Sequence, residues 1–68
     1  MLEFSDVTGK IYESEDCVFF RNIVQSAFYV HNNAKIIDVF TDSKGKLVMV
    51  FLRKEHDELI NKWLDNKK

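Results

Sequence analysis

Few side chains in this sequence could take part in covalent or acid–base chemistry: Cys17, His31 and His56, together with scattered carboxylates. A cysteine and a histidine could support nucleophilic catalysis if their side chains met. The hydrophobic pattern places Cys17 and His31 on one predicted helix, fourteen residues apart. That spacing separates them by about 21 Å along the helix axis. They therefore cannot form a dyad, and the sequence predicts no catalytic residue and a protein that is not an enzyme.

The motifs for metal and cofactor binding are also missing from the sequence. No two ligands show the Cys-x-x-Cys or His-x-x-x-His spacing that metal sites use. Thr8-Gly9-Lys10 looks like the end of a phosphate-binding loop, but Phe4 and Ile11 stand where that loop needs a glycine and a hydroxyl group. We therefore expect no metal and no cofactor.

Length and composition indicate one small ordered domain, residues 1–68. The chain has no proline, two glycines and 46% hydrophobic residues, which is typical of a folded globule. A single cysteine excludes an internal disulfide, and Met1-Leu2-Glu3 does not begin a signal peptide. The longest apolar run, from Leu47 to Leu52, is far shorter than the roughly 20 residues of a membrane span. The expected location is the cytoplasm, with no membrane partner.

Residues 35–53 are predicted to form a β-hairpin, the element around which the rest of the chain would pack. Runs rich in Val, Ile and Phe flank Asp42-Ser43-Lys44-Gly45, which suits a type I turn followed by a left-handed glycine. A bulge at the glycine predicts that Phe40 pairs with Val48 and that Val39 pairs with Met49.

Two helices are predicted on either side of this hairpin. Ser14-Glu15-Asp16 suits a helix start, and apolar residues at helical spacing continue to about His31. A second helix is predicted from Lys54 to Lys68, with an apolar stripe that includes Leu59 and Trp63. Before the first helix, Lys10 to Tyr12 is expected to form a strand beside residues 47–52.

The predicted fold class is α+β, in the order strand-helix-strand-strand-helix. The sheet is three-stranded and mostly antiparallel, strand 47–52 is central, and both helices lie on one face. The expected core consists of Phe20, Ile23, Val24, Ala27, Ile37, Val39, Met49, Phe51, Leu59, Ile60, Trp63 and Leu64.

The second face of this sheet is apolar too, and no predicted helix covers it. It carries a protein-interface candidate made of Ile36, Phe40, Val48, Val50 and Leu52. A small domain commonly hides such a patch in a dimer or under a partner. We therefore expect association with a second copy, as a homodimer, or with another protein. The alternative is that the segment from Met1 to Phe4 folds over the face within one chain.

Charge distribution suggests a further possibility. Ten basic and eleven acidic residues give a net charge of −1, but the first twenty residues are mainly acidic and the hairpin is mainly basic. This fits solvated charge with internal pairing, or head-to-tail association between copies. It also allows a nucleic-acid-binding accessory protein that would use Lys44, Lys46, Arg53 and Lys54.

The arrangement of an acidic cap, an aromatic-rich first helix, a Val-Phe hairpin and a last helix with Trp63 resembles small uncharacterised proteins of Gram-positive bacteria and their phages. The resemblance extends from Tyr12 to Leu64 and leaves residues 1 to 11 outside. It implies a small accessory protein without an activity, and it assigns no functional residue. The interpretation is a non-catalytic binding protein that acts through protein–protein association.

Overall fold

The computed structural model describes residues 1–66, so the predicted end of the last helix at Lys68 lies outside the described residues. Within that range the chain forms five strands, two α-helices and one 3-10 turn, Ser14–Asp16. The elements are β1 (Leu2–Phe4), β2 (Ile11–Glu13), β3 (Cys17–Phe20), α1 (Ile23–His31), β4 (Asp38–Thr41), β5 (Leu47–Leu52) and α2 (Arg53–Asn66). The protein is therefore of the α+β class.

The main sheet has the strand order β3-β5-β4 and is antiparallel throughout. The prediction that strand 47–52 is central is confirmed. So is the hairpin register, since Phe40 lies opposite Val48 and Val39 lies opposite Met49. Gly45 has a φ of 77° and its N–H donates to the Asp42 carbonyl at 2.9 Å, as the turn chemistry requires.

The prediction of one long helix from residue 14 to about residue 31 is wrong in its first half. Residues 17–20, Cys-Val-Phe-Phe, form β3 and pair with β5, so that Val18 lies opposite Phe51. Aromatic and β-branched side chains favour the pleated surface of a sheet, and in β3 Cys17 is buried while Val18 and Phe20 are half-buried. Because the third strand is β3, the expected strand at Lys10 to Tyr12 is not the neighbour of β5.

That segment instead belongs to a separate two-stranded sheet, in which β1 and β2 pair antiparallel. We call residues 2–13 the N-terminal hairpin. Tyr12 packs with Cys17, Ile37 and Val50 in one buried cluster, and the Thr8 hydroxyl donates to the Ile37 carbonyl at 2.7 Å. The N-terminal hairpin therefore covers part of the second sheet face within the same chain.

On the other side of β5, side chains from both helices meet around Phe51. Tyr29 of α1 and Phe51 are fully buried, and Leu59 and Trp63 of α2 pack against the same cluster. Phe51 and Val50 are adjacent in the strand and point to opposite faces. The sheet is thus packed on both sides, with the helical cluster on one and the N-terminal hairpin on the other.

The expected core is only partly correct. Phe51 and Ile37 are buried, whereas Ile23, Val24 and Ala27 of α1 and Leu64 of α2 are exposed. Because α1 begins at Ile23, its inward side is set by Ser26 and Tyr29, both fully buried. The apolar stripe of α1 therefore faces away from the core.

Candidate functional site

The chemically capable residues lie in different elements. Cys17 is buried in β3, and burial, followed by the nearby Asp16 carboxylate, raises the pKa of its thiol. His31 is exposed at the end of α1, and the His56 ring lies on α2 with Nδ1 2.8 Å from the Tyr29 hydroxyl. Within residues 1–66, no three His, Cys, Asp or Glu side chains are grouped to hold a metal ion.

The five residues proposed for the protein interface do not form one exposed surface. Val48 and Val50 are 1% and 0% exposed, and Ile36 packs with the cluster around Phe51. Phe40 and Leu52 are exposed. The rings of Phe40 and Phe19 come from strands on either side of β5 and meet edge to face at 6.3 Å. Tyr12 of the N-terminal hairpin shares a buried cluster with Val50, and Phe40 lies opposite Val48 in the sheet.

The four residues proposed for nucleic-acid binding lie at opposite ends of β5. Lys44 and Lys46 are at the turn, whereas Arg53 and Lys54 begin α2 after the strand. A six-residue strand separates the two pairs by roughly 17 to 20 Å. Arg53 also donates to the Cys17 carbonyl at 3.2 Å. These basic residues therefore do not form a single patch.

At the turn, the structure adds a basic residue that the sequence did not indicate. Arg21 Nε donates to Asp42 Oδ2 at 2.8 Å, and this bond holds the pKa of Asp42 below its usual value. Arg21, Lys44 and Lys46 border one shallow depression there. The turn carboxylate neutralises part of this charge.

The exposed side of α1 is the first of two candidate binding surfaces. Ile23, Val24 and Val30 are 58%, 68% and 43% exposed, and Ala27 lies between them. Ile23, Ala27 and Val30 line a groove of about 440 Å³, which is continued by Ile36 and Met49. We call these four α1 side chains the α1 face. Sequence reasoning found the stripe but assigned it to the core.

The second candidate is a groove of about 420 Å³ between the N-terminal hairpin and the sheet face that bears Val50. Phe19 and Phe40 line it, with Glu3, Asp6 and Asp38. We call this the acidic groove. No lysine or arginine is among the described residues that line it. Sequence reasoning missed it, because it depends on the packing of the N-terminal hairpin.

A hydrogen-bond network at Asp38 holds the base of the acidic groove. The Tyr12 hydroxyl donates to Asp38 Oδ2 at 2.6 Å, the Val39 N–H donates to Oδ1 at 2.8 Å, and Ser5 also bonds this carboxylate. Burial alone would raise the pKa of Asp38, but the bonds from Ser5, Tyr12 and Val39 outweigh burial and lower it. Burial and the Asp38 bond raise the pKa of Tyr12.

The fold and these surfaces define a small α+β protein with two grooves, on opposite sides of one antiparallel sheet. The sequence matches no known protein family, no curated protein and no solved structure. The resemblance to small proteins of Gram-positive bacteria and their phages therefore stays a prediction. Neither helix in residues 1–66 is both long and apolar enough to span a membrane.

Proposed function

We propose that this protein is a non-catalytic accessory protein that acts by protein–protein association, and that it forms a homodimer through the α1 face. The observation that carries the proposal is the outward position of the apolar stripe of α1. Three aliphatic side chains there are between 43% and 68% exposed. Burying such side chains contributes roughly 1.5 to 3 kcal/mol each when burial is complete.

A second copy suits this surface because the surface carries no charge to be matched. α1 has no Asp, Glu, Lys or Arg between Ile23 and His31. Two copies can therefore meet across a two-fold axis without bringing like charges together. Ala27 lies one turn from Ile23 and from Val30, and this small residue lets two helices approach closely.

The size of the α1 face predicts a weak dimer. A nine-residue helix is only about 13 Å long, and a stable interface usually buries about 800 Å² on each partner. The α1 face needs the groove beside it, with Ile36 and Met49, to approach that area. We therefore expect a dissociation constant in the micromolar range.

The experiment is sedimentation of the wild-type chain over a concentration series, compared with Val24→Asp. Val24 is the second residue of α1, and the helix dipole stabilises an acidic side chain at that position. We therefore expect Val24→Asp to keep the fold while it adds a charge to the α1 face. The expected result is a concentration-dependent dimer in the wild type and at least roughly tenfold weaker association in the variant.

Val7→Asp is the matched control, because Val7 is 66% exposed, against 68% for Val24, and lies in the turn of the N-terminal hairpin. It should associate like the wild type. A wild type that remains monomeric at several hundred micromolar, or an equal loss in both variants, would contradict the proposal.

Nucleic-acid binding is the alternative function, and it has less support. It would draw on Lys44 and Lys46 with Arg21 at one end of β5, or on Arg53 and Lys54 at the other. A cytoplasmic location is part of the main proposal, since the free Cys17 thiol suits a reducing compartment.

A further inference from the structure

We infer that the acidic groove binds a cationic side chain, arginine or lysine, presented by an extended segment of a partner protein. The inference goes beyond the proposed dimer, because it concerns another partner and another surface. Helix α1 packs through Tyr29 on the side of the sheet that bears Phe51, whereas the acidic groove lies on the side that bears Val50.

The charge of the groove favours a cation. Glu3 and Asp6 lie on its rim and Asp38 lies at its base. Within residues 1–66, neither Glu3 nor Asp6 is within ion-pair distance of a basic group. Two rim carboxylates without a counter-charge, above a buried third one, make a guanidinium or ammonium group the complementary ligand.

The walls of the groove favour the apolar part of such a side chain. Phe19 and Phe40 are each 40% exposed although their rings contact each other. Phenylalanine rings attract a cation over their faces, and they also pack against the methylene stem of arginine or lysine. A ligand with a charged head and an apolar stem therefore matches both the rim and the walls.

The groove is held in shape before any ligand arrives. The Tyr12 bond to Asp38 and the Thr8 bond to the Ile37 carbonyl tie the N-terminal hairpin to β4 and to the residue before it. Because Asp38 already accepts bonds from Ser5, Tyr12 and Val39, its role is structural, and the rim carboxylates are the ones available to a ligand. A preformed groove reduces the ordering cost of binding.

The experiment is fluorescence anisotropy of a fluorescein-labelled peptide, Gly-Leu-Arg-Leu-Arg-Gly, with the Val24→Asp chain of residues 1–68. That background removes the proposed dimer contact, so peptide binding and self-association can fail separately. The comparison peptide has citrulline in place of each arginine, which keeps the shape and removes the charge. The expected result is saturable binding of the arginine peptide and at least roughly tenfold weaker binding of the citrulline peptide.

Two further variants and one control locate the site. Glu3→Lys reverses a rim charge and should weaken the arginine peptide about tenfold, whereas Glu58→Lys makes the same change on an exposed part of α2 and should leave binding unchanged. Phe40→Leu keeps apolar cover over Val48 but removes a ring, and should weaken binding about threefold. Circular dichroism confirms that each variant is folded.

Three outcomes would overturn the inference. The first is no binding of the arginine peptide at millimolar protein. The second is equal binding of the arginine and citrulline peptides. The third is an equal effect of Glu3→Lys and Glu58→Lys, which would indicate a general charge effect.

Discussion

Tyr29 places a polar group at the centre of the helical cluster without leaving it unsatisfied. Its ring meets Phe20 at 5.4 Å and Phe51 at 5.6 Å, both edge to face. Its hydroxyl lies 2.8 Å from His56 Nδ1 and accepts a bond from Gln25 at 3.3 Å. Burial raises the pKa of this hydroxyl, which keeps it neutral over the usual pH range. The side chain can therefore be fully buried at little cost.

Cys17 is expected to react slowly with thiol reagents, because its side chain is buried and burial raises the pKa of its thiol. Reaction with a thiol reagent requires an exposed thiolate. We expect slow labelling of the native protein at pH 8 and fast labelling in urea, with a large difference in rate. The measurement is the absorbance change with a disulfide reagent.

Free cysteine in the same buffer is the control for the thiol measurement. Labelling of the native chain at a rate close to that of free cysteine would show that Cys17 is accessible. The cysteine would then have to be considered again as a chemical group, with Arg53 beside it as the nearby cation.

The stability of helix α1 depends on the residue that caps its N-terminus. Asn22 is the N-cap, and its Oδ1 accepts a bond from the Gln25 N–H at 3.1 Å. We expect Asn22→Ala to lower the free energy of unfolding by about 1 kcal/mol, because one helix N–H loses its partner. Urea denaturation measures the change.

Asn22→Ser is the conservative control for this cap, since serine also accepts the bond, and it should restore most of the loss. If alanine and serine at position 22 are equally stable, the cap does not determine where α1 begins.

Sequence reasoning succeeded for the β4-β5 hairpin and failed for residues 17–20. The β4-β5 hairpin was predictable because Asp42 and Gly45 determine its turn locally. Residues 17–20 were not, since a short run of apolar side chains fits a helical stripe as well as a strand. Pairing with β5, more than 25 residues away, decides between the two.

The candidate surfaces were less predictable than the strands. The α1 face was recognised as apolar, but its direction depends on which part of α1 packs against Phe51. The acidic groove arises from β1 and β2, which have three residues each and are too short to show a clear period. Its base also depends on a bond between Tyr12 and Asp38, 26 residues apart.

For the whole molecule, the Asp38 network joins the N-terminal hairpin to the main sheet. Tyr12, Ser5 and Thr8 all lie in that hairpin, and their bonds reach Asp38 and Ile37. The same contact buries Val50, which is 0% exposed. Loss of this network would therefore expose apolar surface as well as break hydrogen bonds.

This network predicts that the protein loses stability in acid. The pKa of Asp38 is lowered in the folded chain, so the unfolded chain binds more protons below the ordinary aspartate value of about 3.9. The contribution of Asp38 is fully present above that value and is lost as the pH falls through the lower folded pKa. We expect the urea concentration at the midpoint of unfolding to decrease as the pH is lowered from about 5 to about 2.

Asp38→Asn tests whether this one carboxylate is responsible. The variant should be less stable at pH 7, by about 1 to 3 kcal/mol, because an amide is a poorer acceptor for the Tyr12 and Ser5 hydroxyls. Its stability should also change less with pH than that of the wild type. Some slope remains, since the pKa values of Asp42 and Glu13 are lowered too, by Arg21 and by the Met1 amino group. An unchanged slope in Asp38→Asn would show that the carboxylate does not fasten the N-terminal hairpin, and the preformed acidic groove would lose its structural basis.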